Sequence, residues 1–389
     1  MKTVFGKMKI KSPRLRPCCC ASYQSKSLSP LTAALPERTT PELLCLETKW
    51  AAQVSYQITQ RMLQDVLPVD ENLNAMTIRN HLLKTAQRVE NQLGEERFSY
   101  IEGCQLQRDE LPSPNGPLIV GIDGGYVRGR DGNCFEAIAG KSILSFRRGE
   151  EGNDPSIKCF AFVQNHDDKP KRRLHELLKS QGLQANQQIT FLSDGGDDVR
   201  NLQRYMSPQA EHLLDWFHLT MRLTVLKQTA KGLPIKLGDG EQEIKLQEPA
   251  LAALKSIKWY LWHGNVYQAL EHLENLQMDL EGAWEFANPP VQKLLKTIGE
   301  FHTYISRNRN FIVNYGERYR HGERISTAFV ESTVNQVIDK RMSKKQQMRW
   351  TPFGAHQLLQ VRTKVLNDEW EATFRSWYPQ FHPELQKAA

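Results

Sequence analysis

Three acidic side chains stand where a carboxylate could do chemistry. Asp123 sits inside Leu118-Ile-Val-Gly-Ile-Asp-Gly-Gly-Tyr-Val127, a run otherwise rich in apolar, β-branched residues. An unpaired carboxylate buried in such a strand is costly or shifts its pKa, so Asp123 needs a partner. That partner is either a metal ion shared with other acids or the backbone of a turn, since Asp-Gly-Gly is also turn chemistry. Asp194 closes a second apolar run, Phe191-Leu-Ser-Asp-Gly-Gly196. Two carboxylates brought close raise each other's pKa unless a divalent cation lies between them. An all-oxygen donor set with room for water suits magnesium or manganese. The glycines after each Asp are expected to let an ion or a phosphodiester approach the backbone. Two-ion phosphodiester chemistry needs a third acid. Glu331 is the choice, early in a helix with Asn335 four residues on along the same face. Glu323 is its rival, and a plain helix-start acid favoured by the helix dipole is the alternative. Asp215 and His218, in Asp-Trp-Phe-His, complete the set. His218 either orients a leaving group or phosphate, or is a buried, hydrogen-bonded histidine.

The elements that must position these residues read as alternating strands and helices. Strand patterns cover 118–127, 134–145 and 157–163, joined by short polar links, which predicts an antiparallel meander. A helix over 171–179, a strand over 188–194, a helix from Asp197 and a short strand over 212–216 follow. The order β-β-β-α-β-α-β makes the first and fourth strands neighbours and gathers ligands at strand ends. From His218 to Tyr319 only helical spacing is visible, which predicts a helical insertion. A helix from Ser326 to Met342 carries Glu331, and another from Gly354 to Glu371 follows.

Upstream, helices are expected at Pro41, with Thr40 as cap, from Ser55 to Val66, and from Thr77. In the last, Ile78, Leu82, Ala86, Val89 and Leu93 form one apolar stripe, leaving Arg79, Asn80, Lys84, Gln87 and Arg88 off it. Helix, turn and helix with a basic, amide-rich face is a helix-turn-helix pattern, the alternative being a plain helical bundle. Arg79, Asn80, Lys84 and Arg88 are the candidate DNA contacts there. Beyond Glu331, Lys340, Arg341, Lys344 and Lys345 are candidate contacts to a DNA backbone.

The 389 residues carry a net charge of +7 with a pI of about 8.9, compatible with a nucleic-acid partner. No run of about 18 apolar residues exists, so no membrane-spanning helix is expected. Seven cysteines without a CxxC pair read as reduced thiols of a cytoplasmic protein. Residues 1–16 are basic and acid-free, without the apolar core of a secretory signal. The expected division is a basic, Cys-containing arm over 1–34 and a helical DNA-binding region over 35–110. The first part of an α/β core follows over 111–225, a helical insertion over 226–320, and the Glu331 helix with a closing helix over 321–389.

At these residues the chain resembles a known family. Its strand order is similar to a ribonuclease H-like fold. Asp123, Asp194 and Glu331 fall where DDE transposases carry their catalytic acids, and Asp215-Trp-Phe-His218 resembles the C/D-x-x-H motif of Mutator-like and related bacterial transposases. Leu35-Pro-Glu-Arg-Thr-Thr-Pro-Glu-Leu-Leu44, Val66-Leu-Pro-Val-Asp70, Gly121-Ile-Asp-Gly-Gly-Tyr126 and Val330-Glu-Ser-Thr-Val-Asn335 resemble the ISKra group of insertion-sequence transposases. The resemblance runs from about residue 28 to the end. It implies a ribonuclease H-like mixed five-stranded sheet with flanking helices, interrupted by a helical insertion and preceded by a helix-turn-helix. It also implies two magnesium or manganese ions on Asp123, Asp194 and Glu331, with Asp215, His218 and Asn335 in support. Strand cleavage and strand transfer at element ends follow, with terminal inverted repeats and target DNA as partners. A homodimer or larger assembly on DNA, nucleoid-associated in the cytoplasm, is expected. The family's zinc-ribbon-like segment is represented only by Ser12-Pro-Arg-Leu-Arg-Pro-Cys-Cys-Cys20, a departure that bears on recognition of DNA ends. The alternatives are a truncated or repurposed DNA-binding protein and a ribonuclease H-like nuclease that cuts without joining.

Overall fold

β-Branched and aromatic runs condense into one five-stranded mixed sheet. The strands are β1 (Leu118–Arg128), β2 (Cys134–Ile143), β3 (Lys158–Val163), β4 (Ile189–Ser193) and β5 (Glu211–Leu214). Their spatial order is β3-β2-β1-β4-β5. β1, β2 and β3 pair antiparallel, whereas β4 is parallel to both β1 and β5. The computed structural model describes residues 1–16, 29–96, 110–112, 114, 116–144, 157–207, 210–237, 244–282, 289–343 and 348–381. The cysteines at 18–20, most of the 95–117 linker, and Lys344 and Lys345 lie outside them.

Alternation along β1 divides its side chains between two cores, as a period of two requires. Leu118, Val120 and Ile122 face α4 (Pro170–Ser180) and α5 (Asp197–Met206). Ile119 and Val127 face the opposite core. That core also holds α1 (Pro41–Ala51), α2 (Tyr56–Val66) and α3 (Ala75–Leu93). The apolar residues of 41–93 therefore share one core with the sheet and with the helices after residue 328. A third core joins α6 (Trp216–Lys231), α7 (Gln247–Trp262), α8 (Val266–Gly282) and α9 (Pro289–Asn308), with buried members from Leu214 to Ile325. This is the helical insertion. Contrary to expectation it contains strands, a two-residue hairpin of Lys236–Leu237 with Ile244–Lys245. α10 (Tyr315–Arg320) leads back toward the sheet. No helix among the described residues is long and apolar enough to cross a membrane.

Two helix boundaries and one cap differ from the sequence expectation. α3 begins two residues before Thr77, because Asn74 accepts from the Thr77 N–H at 2.9 Å and caps it. Thr40 precedes α1 but makes no side-chain cap; Pro41 in the first turn fixes the start instead. The closing helix is two, α12 (Pro352–Leu366) and α13 (Trp370–Trp377). Between them Asp368 is left-handed (φ 55°), and Asn367 turns back to bond the N–H and C=O of Cys159 at the sheet edge.

Candidate acidic site at the strand ends

Asp123 lies inside β1, paired with Ala139 of β2, and is not in a turn. Its Oδ1 accepts from the Gly124 N–H at 2.8 Å. The parallel register ends at Gly121↔Leu192, so two steps further along each chain Asp123 comes level with Asp194. Asp194 leaves the C-terminal end of β4, as strand-end chemistry requires. Its turn is held at three points. Ser193 Oγ accepts from the Gly195 N–H and bonds buried His212 at 2.8 Å. Asp194 Oδ1 accepts from the Gly196 N–H at 3.0 Å. The Tyr304 hydroxyl of α9 donates to the Asp194 carbonyl at 2.9 Å, so the insertion braces this turn. Arg222 of α6 lies 4.1 Å above the Tyr304 ring.

Glu331 rides on α11 (Ala328–Val334), which continues through a π-turn, Asn335–Asp339, into Lys340–Met342. α11 crosses β1 over two glycines. A Cβ on Gly121 would lie 2.1 Å from Val330 Cγ2, and one on Gly125 would lie 3.1 Å from Val334 Cγ1. Gly121, before Asp123, and Gly125, after it, thus admit a helix across β1, a role the sequence did not show. Gly195 serves its turn, with φ at 89°. Two buried guanidinium groups hold the helix from behind. Arg362 donates to the carbonyls of Val337, Gln336 and Ala52, and Arg341 donates to Ala51 O at 3.2 Å. Burial pushes both down to about 10.

Asp215 is fully buried and caps α6. Its Oδ1 accepts from the N–H groups of Phe217 (2.9 Å) and Thr327 (3.0 Å). Its Oδ2 accepts from His218 Nδ1 (2.6 Å) and from the Thr327 hydroxyl. Four donors fill the lone-pair directions of one carboxylate, leaving none for an ion. Asp215 is thus a clamp: it orients His218 and fixes Thr327, whose carbonyl accepts from Glu331 N–H at 3.0 Å. His218 is half-buried and hydrogen-bonded.

The charges converge. Burial raises Asp123, and the nearby charges of Asp194 and Asp215 add to that. Burial and the charge of Asp123 raise Glu331. The hydrogen bond to Asp215 raises His218, helped by the charges of Asp215, Asp123 and Asp194. Asp123, Asp194, Glu331 and His218 therefore share one electrostatic neighbourhood. Glu323 does not join it, being paired with Arg318 beside Glu211 and Pro117, at the start of β1. Asn335 is half-buried at the start of the π-turn.

The residues that sequence reasoning missed here are Tyr304, Thr327 and Gly121. Only Gly121 left a local trace, a glycine inside an apolar strand. A second acidic group was also missed. Glu90, Asp167 and His356 bring ligand atoms within 4.8 Å of one another and could hold a metal ion. Arg173 already lies between the acids, contacting Glu90 and Asp167 at 2.9 Å each. Asp123, Asp194 and Glu331 are not so tightly grouped. A two-ion site does not require it: ions about 4 Å apart with oxygens about 2.1 Å from each spread their donors over about 8 Å.

Among the expected DNA contacts, Asn80, Lys84 and Lys340 are exposed and Arg79 is half-buried. Two are corrected. Arg341 is fully buried against Tyr56 and Trp350. Arg88 lies over Trp377 at 4.4 Å and donates to the Tyr378 hydroxyl. Both are drawn inward because a guanidinium stacks well on aromatic faces. Comparison with family models, curated proteins and solved structures returns no match for this chain.

Proposed function

We propose that this chain is a DDE transposase of the ISKra group, acting by metal-dependent cleavage and joining of DNA strands at insertion-sequence ends. The observation that carries this reading is the convergence of Asp123, Asp194 and Glu331, from the middle of β1, the end of β4 and a distant helix, into one shared field. The strand order β3-β2-β1-β4-β5, with one parallel pair on each side of β4, supports a ribonuclease H-like core. The three acids offer hard cations an all-oxygen donor set, with Asp123 and Glu331 raised by burial and by neighbouring acids. Asp123, Asp194 and Glu331 would hold two magnesium or manganese ions, which when bound would activate the nucleophile and stabilise charge at phosphorus. Asp123 stands centrally, Asp194 is oriented by its braced turn, and Glu331 is carried in by α11. His218, oriented by Asp215, offers its remaining ring nitrogen to a phosphate oxygen. α1 to α3 act as a helix-turn-helix, with Asn80 and Lys84 toward the terminal repeat and Lys340 on backbone phosphate. Pairing of two ends calls for a homodimer or larger assembly in the cytoplasm.

Asp123→Asn keeps the shape and removes the charge. It is expected to abolish magnesium-dependent cleavage of end-containing DNA while duplex binding and thermal stability survive. Full cleavage by this variant refutes the assignment. Joined strands among the wild-type products separate a transposase from a nuclease that only cuts.

A further inference from the structure

Residues 1–8 form a small hairpin, Lys2–Thr3 paired with Gly6–Lys7 across a two-residue turn of Val4 and Phe5. The turn is locked. Thr3 Oγ1 donates to Gly6 O at 2.9 Å and accepts from the Phe5 N–H at 3.1 Å, and Gly6 has φ at 94°. The hairpin is also tied to the body. Lys2 N–H donates to Arg38 O and Thr40 N–H to Lys2 O, both at 2.9 Å, immediately before α1. Val4 turns inward and is buried, whereas the Phe5 ring projects with 81% of its surface exposed. The ring gains no core packing there and stands open to a contact from outside the fold.

The composition of the same stretch bears on what the ring could meet. Residues 1–16 hold six cations, Lys2, Lys7, Lys9, Lys11, Arg14 and Arg16, and no acid. Asp70 in the α2–α3 turn lies within reach of Lys2 and Lys7. Lys9, Lys11, Arg14 and Arg16 are exposed, with no ion pair among the described residues. Met8 and Ile10, also exposed, alternate with Lys7, Lys9 and Lys11. An exposed ring on a hairpin that continues into a cationic, acid-free stretch matches a polyanion with flat faces between its charges. A positive groove with base-stacking aromatics is how sequence-tolerant single-strand binders work.

We propose that this hairpin is a single-stranded DNA contact, Phe5 stacking on an unpaired base and Lys7, Lys9 and Lys11 following the phosphates. The contact is independent of the acidic site and leaves that reading untouched if it fails. The test uses the full chain with fluorescein-labelled oligo(dT). Phe5→Ala is expected to weaken binding about five- to hundredfold, the range for loss of one base–aromatic stack. Because the ring is exposed, the melting temperature stays unchanged. Phe5→Trp retains binding, and its emission is quenched when oligo(dT) is added. Lys9→Glu with Lys11→Glu lowers the slope of log affinity against log salt by about 0.7 per lysine. Unchanged oligo(dT) affinity in Phe5→Ala overturns the proposal. So does a Phe5-dependent association with phosphatidylserine vesicles that oligo(dT) does not compete away, since the hairpin is then a membrane contact.

Discussion

Replacing Gly121 by alanine tests how the site is assembled. The added methyl would sit 2.1 Å from Val330 Cγ2 and 2.7 Å from Phe329 Cζ. Carbon atoms rest at about 3.5–4.0 Å, so about 1.5 Å must be found. Phe329 is touched at the far end of its ring, which can swing aside. Val330 is short, fully buried and held by its helix in one rotamer, so it cannot. The strain therefore falls on α11 and displaces it from β1. Overpacking of this kind costs about 1–3 kcal/mol, visible as a lower midpoint in urea. A displacement of about 1 Å in Glu331, the residue after Val330, would lower strand cleavage about a hundredfold. Gly121→Ala with Val330→Ala removes the worse contact and should recover part of both losses, a coupling read from the double-mutant cycle. An unchanged urea midpoint for Gly121→Ala would refute the packing argument, whatever the protein catalyses. Lost stability with undiminished cleavage would separate Glu331 from the reaction.

Arg362→Ala removes the donor from three backbone carbonyls at the π-turn and the end of α1, and should cost about 4 kcal/mol in urea unfolding. Arg362→Lys should rescue less than half, since one ammonium cannot reproduce the planar fork; a loss under about 1 kcal/mol would show that the carbonyls find other donors. Asp215→Asn should destabilise by about 2 kcal/mol by weakening its bonds to Thr327 and His218, and its effect should be non-additive with Thr327→Ala. Additive losses would deny the clamp. Burial alone would raise Glu90, but the His356 hydrogen bond and the Arg173 charge hold it at about 2 against an ordinary 4.5. A depressed carboxyl contributes stability above its unfolded value and loses it as pH falls, so about 3 kcal/mol should disappear between pH 4.5 and pH 2. Glu90→Gln should flatten that part of the acid-unfolding curve, and an unaltered curve would rule the linkage out.

The sequence by itself determined the five strands of the main sheet, most of the helices and the order in which they occur, but not the two short hairpins. Period-two runs need only neighbours in the chain to be recognised, and Asp123 and Asp194 announce themselves as charges where apolar runs exclude charge. The antiparallel meander and the pairing of the first strand with the fourth were legible for the same reason. What the glycines of β1 are for was not legible, because Val330 and Val334, which lie on them, are some 200 residues away in the chain. Nor was the inward turn of Arg88 and Arg341, since a basic residue off an apolar stripe looks the same whether water or a tryptophan awaits it. Tertiary structure alone joined Asp215 to Thr327 and Tyr304 to Asp194, and so decided where Glu331 and Asp194 point. Side-chain hydrogen bonds between distant segments leave no periodic mark on either one. They form only after the sheet and the helices have brought the segments together.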